Sequence, residues 1–223
     1  MLGVLSANMF LYCENDPVNK VDPTGYCPWH GDDAYSREKR YSEGCGARVS
    51  VAQLMKAGFQ NVTNSMMIRL NMVIDKYRIR TNEALSHFLS QSLYESTYGT
   101  SLTEAGYIPD AAAREAYLQS KSYYPYYGAG YIQLSRAVNY EAFATAMNDP
   151  RIYSGKGSPE YVAARYAWEA SGFWWRLMEM NTNILDRSFT QYQVSRAVYG
   201  GDDDGSFAER AGYYRLCSSI LWG

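Results

Sequence analysis

The stretch His87-Phe88-Leu89-Ser90-Gln91-Ser92-Leu93-Tyr94-Glu95-Ser96 lies in a run whose apolar residues recur at helical spacing. Leu85, Phe88, Leu89, Ser92 and Leu93 fall on one stripe, which predicts an amphipathic helix with that stripe buried. Thr81 or Asn82 can cap its start, and Glu83 sits well in its first turn. Glu95 lies beside Phe88 at the margin of the stripe. Partial desolvation there raises a carboxyl pKa, as a general acid requires. Thr97, Tyr98, Gly99, Thr100 and Ser101 break the helix, so Glu104, nine residues past Glu95, falls on a loop or short strand in polar surroundings. Two carboxyls in unlike environments on opposite sides of a cleft are what glycosidic bond hydrolysis needs. The spacing alone favours two solvated surface groups, since most Glu residues are such and a pair nine apart carries almost no information. The rest of the chain has to distinguish the two.

The bulk numbers narrow the field. The chain has 223 residues, 47% of them hydrophobic and 20% charged, enough for one domain with a core plus an appendage. A formal net charge of −2 leaves no electrostatic footprint for nucleic acid. With 22 Tyr and 5 Trp the chain is rich in aromatic faces that carry a polar tip, suited to stacking on sugars and equally to building cores. Cys13, Cys27, Cys45 and Cys217 match no zinc spacing, and Cys27 with Cys45 is the pair to test for a disulfide. The first residues have no basic region and only a short apolar run, so no signal peptide is expected, and no segment is long enough to span a membrane.

Residues 8–25 are a string of turn chemistry, with Asp16-Pro17 and Asp22-Pro23 followed by Gly25. This segment resembles the end of the core of Rhs-type polymorphic toxins, whose shell closes with Asn-Pro-Val-Asn…Asp-Pro-x-Gly. The resemblance implies a remnant of that carrier shell over 1–25, with a toxin domain following it. Residues 26–48 are polar and glycine-bearing and read as a linker or arm, leaving 49–223 as the catalytic domain.

From Val49 onward the pattern is helical. Helices are predicted over Val51 to Phe59, over Asn64 to Ile79 with Met67, Leu70, Val73, Ile74 and Tyr77 on one face, and over Asp110 to Ser120. The tract from Tyr123 to Leu134 is expected to be an extended loop or short strand. Another helix begins at Ser135 or Arg136 and runs through Met147. Ser158-Pro159 opens one through about Met180, and Ser206 with Glu209 forms a capping box for the last. Period-2 alternation is poor throughout. The fold class is mainly α.

Four blocks, taken in order, resemble glycoside hydrolase family 19, the fold of plant-type chitinases and many phage-type lysozymes. They are His87-Phe-Leu-Ser-Gln91…Glu95-Ser96; Glu104; Gly128-Ala-Gly130-Tyr-Ile-Gln133-Leu-Ser135…Asn139-Tyr140; and Ala167-Trp…Gly172-Phe-Trp-Trp175 with Val194 to Gly201 and Ala208-Glu209-Arg210. The resemblance implies a two-lobed lysozyme-like fold with a central substrate cleft. It makes Glu95 the general acid, Glu104 the base that activates a water, and Ser135 the hydroxyl that holds that water. Gln133 and Asn139 become readers of the substrate's amide and hydroxyl groups, with Tyr131 and Tyr107 as further substrate-binding candidates. Arg210 is placed in the site as a cation that modulates the carboxyls. The chain departs from the family pattern at Ala129, where the family has Arg, at Tyr94, often His, and at Tyr199, where the family has Asn.

Each supporting residue also has a plainer reading. Gln133 serves equally as a loop-capping amide and Asn139 as a helix-surface residue. Glu209 is better explained by capping, and Trp174 and Trp175 by the core. His87 points away from the predicted stripe and is given no chemistry.

The resulting expectation is an inverting, lysozyme-like hydrolase of peptidoglycan glycan strands, carried as the toxic tip of an Rhs-type protein. It would act in the cell wall or periplasm of a target bacterium and be countered by an immunity protein, with no metal or organic cofactor. A chitinase and a non-catalytic glycan-binding tip are the competing expectations.

Overall fold

A computed structural model describes residues 48–222. The calls on residues 1–25 and on most of 26–48, including the Cys27–Cys45 pair, lie outside the described residues.

Helix α1 spans Val51–Ala57 behind a capping box of Ser50 and Gln53, and closes at Gly58, whose φ of +107° suits glycine. Thr63 caps α2, Asn64–Lys76, and buries Met67, Leu70, Val73 and Ile74 as its periodicity requires. Thr81 accepts from the Ala84 amide at the start of α3, Asn82–Glu95. Asp110 likewise caps α4, Ala111–Gln119. Helix α5 covers Ala137–Met147 and α6 covers Ser158–Leu177, with a 3₁₀ turn at Pro150–Tyr153 between them.

Beyond Leu177 the observed chain differs from the expected one. Met178 ends α6, Glu179 turns left-handed at φ +51°, and Met180–Leu185 forms a separate short helix, α7. Gln191–Tyr199 follows as α8 under a Thr190–Gln193 capping box. The last helix, α9, is Phe207–Trp222.

Two cores, both touched by α6, give the fold its lobes. The larger gathers Leu54, Leu70, Ile74, Leu85, Phe88, Leu89, Trp168, Trp175 and Val194. The second gathers Ala129, Leu134, Tyr140, Phe143, Ile152, Val162 and Ala170. Backbone angles of Tyr166 are non-helical, so α6 kinks there; Val162 and Ala170 on either side of it serve the second core, and Trp168 and Trp175 the larger. A third, small cluster of Ala105, Leu118 and Tyr127 packs α4 under the tyrosine-rich tract. Among the described residues there are no strands, only isolated bridges from Thr103 to Ala129 and from Ala129 to Leu134. Nor is any of these helices long and apolar enough to cross a membrane.

Among the described helices, α9 packs most extensively on α3. That contact corrects the one-stripe reading of α3. Ser86, His87, Ser90, Gln91 and Ser92 are buried along with Leu85, Phe88, Leu89 and Leu93. His87 is therefore interior, 2% exposed and stacked on Tyr214 at 4.0 Å.

Candidate active site

Glu95 is the last residue of α3, and its surroundings come from three helices. Gln91 lies one turn earlier on the same face. Arg210, near the start of α9, donates from one terminal nitrogen to Glu95 Oε1 at 2.5 Å and from the other to Gln91 Oε1 at 2.6 Å. Its Nε donates to Ser206 Oγ at 3.2 Å. Gln91 in turn donates to Ser195 Oγ of α8 at 3.1 Å, where Gln191 also donates at 2.9 Å. The Tyr94 ring lies 4.1 Å from the guanidinium carbon, a cation–π contact.

The Arg210 side chain is 1% exposed and that of Glu95 is 19% exposed. The cation is fully enclosed while the carboxylate keeps one face open. Burial raises the Glu95 pKa above the usual carboxyl value, and Asp204 adds to this; Arg210 opposes both and falls short of cancelling them. With its donors engaged inside the protein, Arg210 has no surface left for a glycan. Its expected place among substrate-binding residues gives way to a positioning role.

A compact turn sets the distance in sequence between the two glutamates. Thr97, Tyr98 and Gly99 are all left-handed, with φ of +48°, +62° and +85°. The Ser96 hydroxyl accepts from the Gly99 amide at 2.8 Å, and the Ser96 carbonyl accepts from Ser101 at 2.9 Å. The chain then runs into the irregular tract that holds Glu104.

Glu104 donates its amide to the Gly128 carbonyl at 2.8 Å, and the Gly130 amide bonds the Leu102 carbonyl at 2.9 Å. Both carboxylate oxygens accept hydrogen bonds, one from Tyr123 at 2.7 Å and one from the Gly128 amide at 3.0 Å. A carboxylate has about four lone-pair sites, so room remains for a further donor. The Gly128–Leu134 motif is thus the scaffold that holds Glu104. Among the described residues no hydrogen bond joins this group to the Glu95 group.

The remaining candidates divide. Ser135 is half-buried, and among the described residues its hydroxyl has no hydrogen-bond partner. Tyr107 is 75% exposed on the loop after Glu104. Gln133 sits at φ +58° and donates to the Gly130 and Ser101 carbonyls at 3.1 and 3.4 Å, which is the loop-capping use of its amide. Its Oε1 is buried without a partner against Gly128, where a Cβ would come within 2.5 Å of it. Asn139 donates to the Ser135 carbonyl at 2.8 Å, inside the first turn of α5.

Tyr131 is corrected outright. It is 6% exposed and stacked on Trp168 at 3.6 Å, so the core occupies the ring that a sugar would need. Glu209 makes no capping box in the structure: it accepts from Tyr213 at 2.6 Å, while Asp203 accepts from the Phe207 amide at 3.1 Å. Ser206 is turned to Arg210 instead.

Tyr123, Ser195 and Gln191 were not singled out from sequence. Tyr123 lies in a run of tyrosines that nothing local distinguishes, and Ser195 is 104 residues from the Gln91 it contacts.

No family model matches the chain, and no curated protein matches it in sequence. Solved structures do match. Chitinase C from Streptomyces griseus HUT6037 superposes with a TM-score of 0.60 at 18% identity, over 79% of this chain and 78% of that one. A chitinase C mutant with one glutamate replaced by glutamine superposes with a TM-score of 0.59 at 19% identity, over 79% of this chain and 94% of that one. This is the lysozyme-like fold of chitinase C. In it, the mainly helical, two-lobed architecture expected from the sequence is borne out.

Proposed function

We propose that this chain is an inverting glycoside hydrolase that cleaves β-1,4 bonds in peptidoglycan glycan strands. The observation that carries the reading is the state of Glu95: a carboxyl with one open face, pushed up by burial at the end of a helix and held by a cation that is itself enclosed and shut off from solvent. In the reaction, Glu95 gives its proton to the leaving glycosidic oxygen as the bond from that oxygen to the anomeric carbon breaks. Water attacks the anomeric carbon from the opposite face. Glu104 takes the water's proton, and the free Ser135 hydroxyl, able both to donate and to accept, holds the water in place. The product sugar has the inverted anomeric configuration. Such a step needs the two carboxyls roughly 6.5–9.5 Å apart, facing each other across the cleft with room for one water.

The Rhs-type signature in residues 1–25 supports the biological setting. The chain is the toxic tip of a carrier shell, delivered to the wall or periplasm of a target bacterium, and its producer keeps an immunity protein against it. The similarity to chitinase C favours a second reading, hydrolysis of chitin oligomers. Incubation with purified sacculi and with chitin oligomers separates the two, and NMR of the first-formed anomer tests inversion. Absence of soluble products from both substrates would sink the hydrolase.

A further inference from the structure

At the opposite end of α3 from Glu95, the chain runs Lys76-Tyr77-Arg78-Ile79-Arg80. Tyr77 and Ile79 are buried, at 4% and 0% exposure, and the alternation drives all three cations into solvent. Lys76, Tyr77 and Arg78, with Arg176, Glu179 and Asn181, line a groove of about 620 Å³. The floor is fixed. Asn181 donates to the Tyr77 and Arg78 carbonyls at 2.9 and 3.1 Å and accepts from the Trp175 indole at 2.9 Å.

Three cations face one carboxylate in this groove, in a chain whose formal net charge is −2. Lys76 and Arg176 lie in the last turns of α2 and α6, where a helix dipole accounts for a positive charge. Arg78 and Arg80 lie past the end of α2, where no helix accounts for them. Among the described residues, Arg78, Arg80 and Arg176 have no ion-pair partner. The nearby Glu169 is taken by Arg69 at 2.6 Å.

We infer that this groove is an accessory site for carboxylate groups, and that the carboxylates belong to the stem peptides of the peptidoglycan proposed above as substrate. Unpaired guanidinium forks on a pre-formed floor suit carboxylates, which they bind through two parallel hydrogen bonds. The 14-residue α3 separates groove from Glu95 by about 20 Å, so a strand in the cleft and peptides in the groove can be held together. Chitin has no such groups, so the groove selects the charged polymer over the neutral one. The inference rests on the peptidoglycan reading, but binding tests it separately from cleavage.

The experiment is co-sedimentation of the full chain carrying Glu95→Gln with sacculi across a salt series. Adding Arg78→Gln and Arg176→Gln, both exposed and lining the groove, should weaken binding about tenfold and flatten its salt dependence. Sacculi whose carboxyls are converted to amides should cause the same loss without the arginine changes, and no further loss with them. Replacing the two arginines by lysine should restore the salt dependence but only part of the affinity, which separates lost charge from the lost guanidinium fork. With Glu95 intact, the arginine-to-glutamine chain should turn over neutral chitin oligomers as fast as the parent. Unchanged binding in the glutamine variant, or full binding to amidated sacculi, overturns the inference. A chain that sediments through the groove and releases no sugar from sacculi supports the groove and removes the hydrolase reading alone.

Discussion

Glu95 is a carboxyl pulled in two directions, and its mutants should separate the forces. Glu95→Gln keeps shape and hydrogen bonding but cannot donate the proton, so sacculus hydrolysis should fall at least about 10²–10⁴-fold with the melting temperature nearly kept. Near-parental lysis would remove Glu95 as the acid. Arg210→Gln leaves Gln91 and Glu95 without their buried cation, which should cost about 3–5 kcal/mol of stability by urea unfolding. Arg210 holds the Glu95 pKa down, so its loss should move the alkaline limb of kcat/KM to higher pH; an unmoved limb would mean that Arg210 does not act through Glu95. Ser135→Ala should cost less, about 1 kcal/mol or roughly a factor of ten in rate. Glu95, Glu104 and Ser135 could be named as candidates from sequence because motif and chemistry coincide at each. Arg210 was legible only as a cation in the site. Its pairing with Glu95 spans 115 residues, and no spacing rule reaches that far.

At the scale of elements, α2 followed from periodicity, because one face is buried and the other is wet, and α4 from its run of alanines. The period-3.6 rule found α3 but missed its second buried face, because a helix enclosed on all sides carries small polar residues where another helix must approach closely. Ser86 and Ser90 fall outside the predicted stripe and lie in the interior. His87 is the costly member of that face. Desolvation lowers its pKa from 6.5 to about 4, and its Nδ1 has no partner. A folded pKa below the unfolded one means that the unfolded chain binds the proton first. Stability is therefore unaffected above about pH 6.5, falls as pH drops through 6.5 towards 4, and levels off below, a loss of about 3 kcal/mol at 1.36 kcal/mol per unit. Replacing His87 by Phe, which can keep the stack on Tyr214, should flatten this limb. Melting curves of both chains at pH 7.5 and pH 4.5 give the comparison; an equal drop in both would place the acid sensitivity elsewhere.

For the whole molecule, the question is where the folding unit begins. Among the described residues, the buried members of the cores run from Val49 to Cys217, and the first helix is capped by Ser50. Asn71 accepts from the Arg48 and Val49 amides at 2.6 and 3.1 Å and donates to the Val49 carbonyl at 2.8 Å, pinning the entry of the chain to α2. We propose that the helical unit, with its own cap and entry contact here, folds without the turn-rich signature upstream. Under the proposed function, residues 1–25 are the remnant of a carrier shell and serve a separate purpose. Deleting residues 1–25 should leave the melting temperature within about 2 °C, a change of at most about 1 kcal/mol for a domain of this size. Release of soluble muropeptides from sacculi should be unchanged. The measurement pairs a thermal melt with mass spectrometry of the digest on the full and shortened chains. A fall of many degrees, or loss of products at unchanged melting temperature, would make the leader part of the catalytic fold and set the boundary after Gly25 in the wrong place.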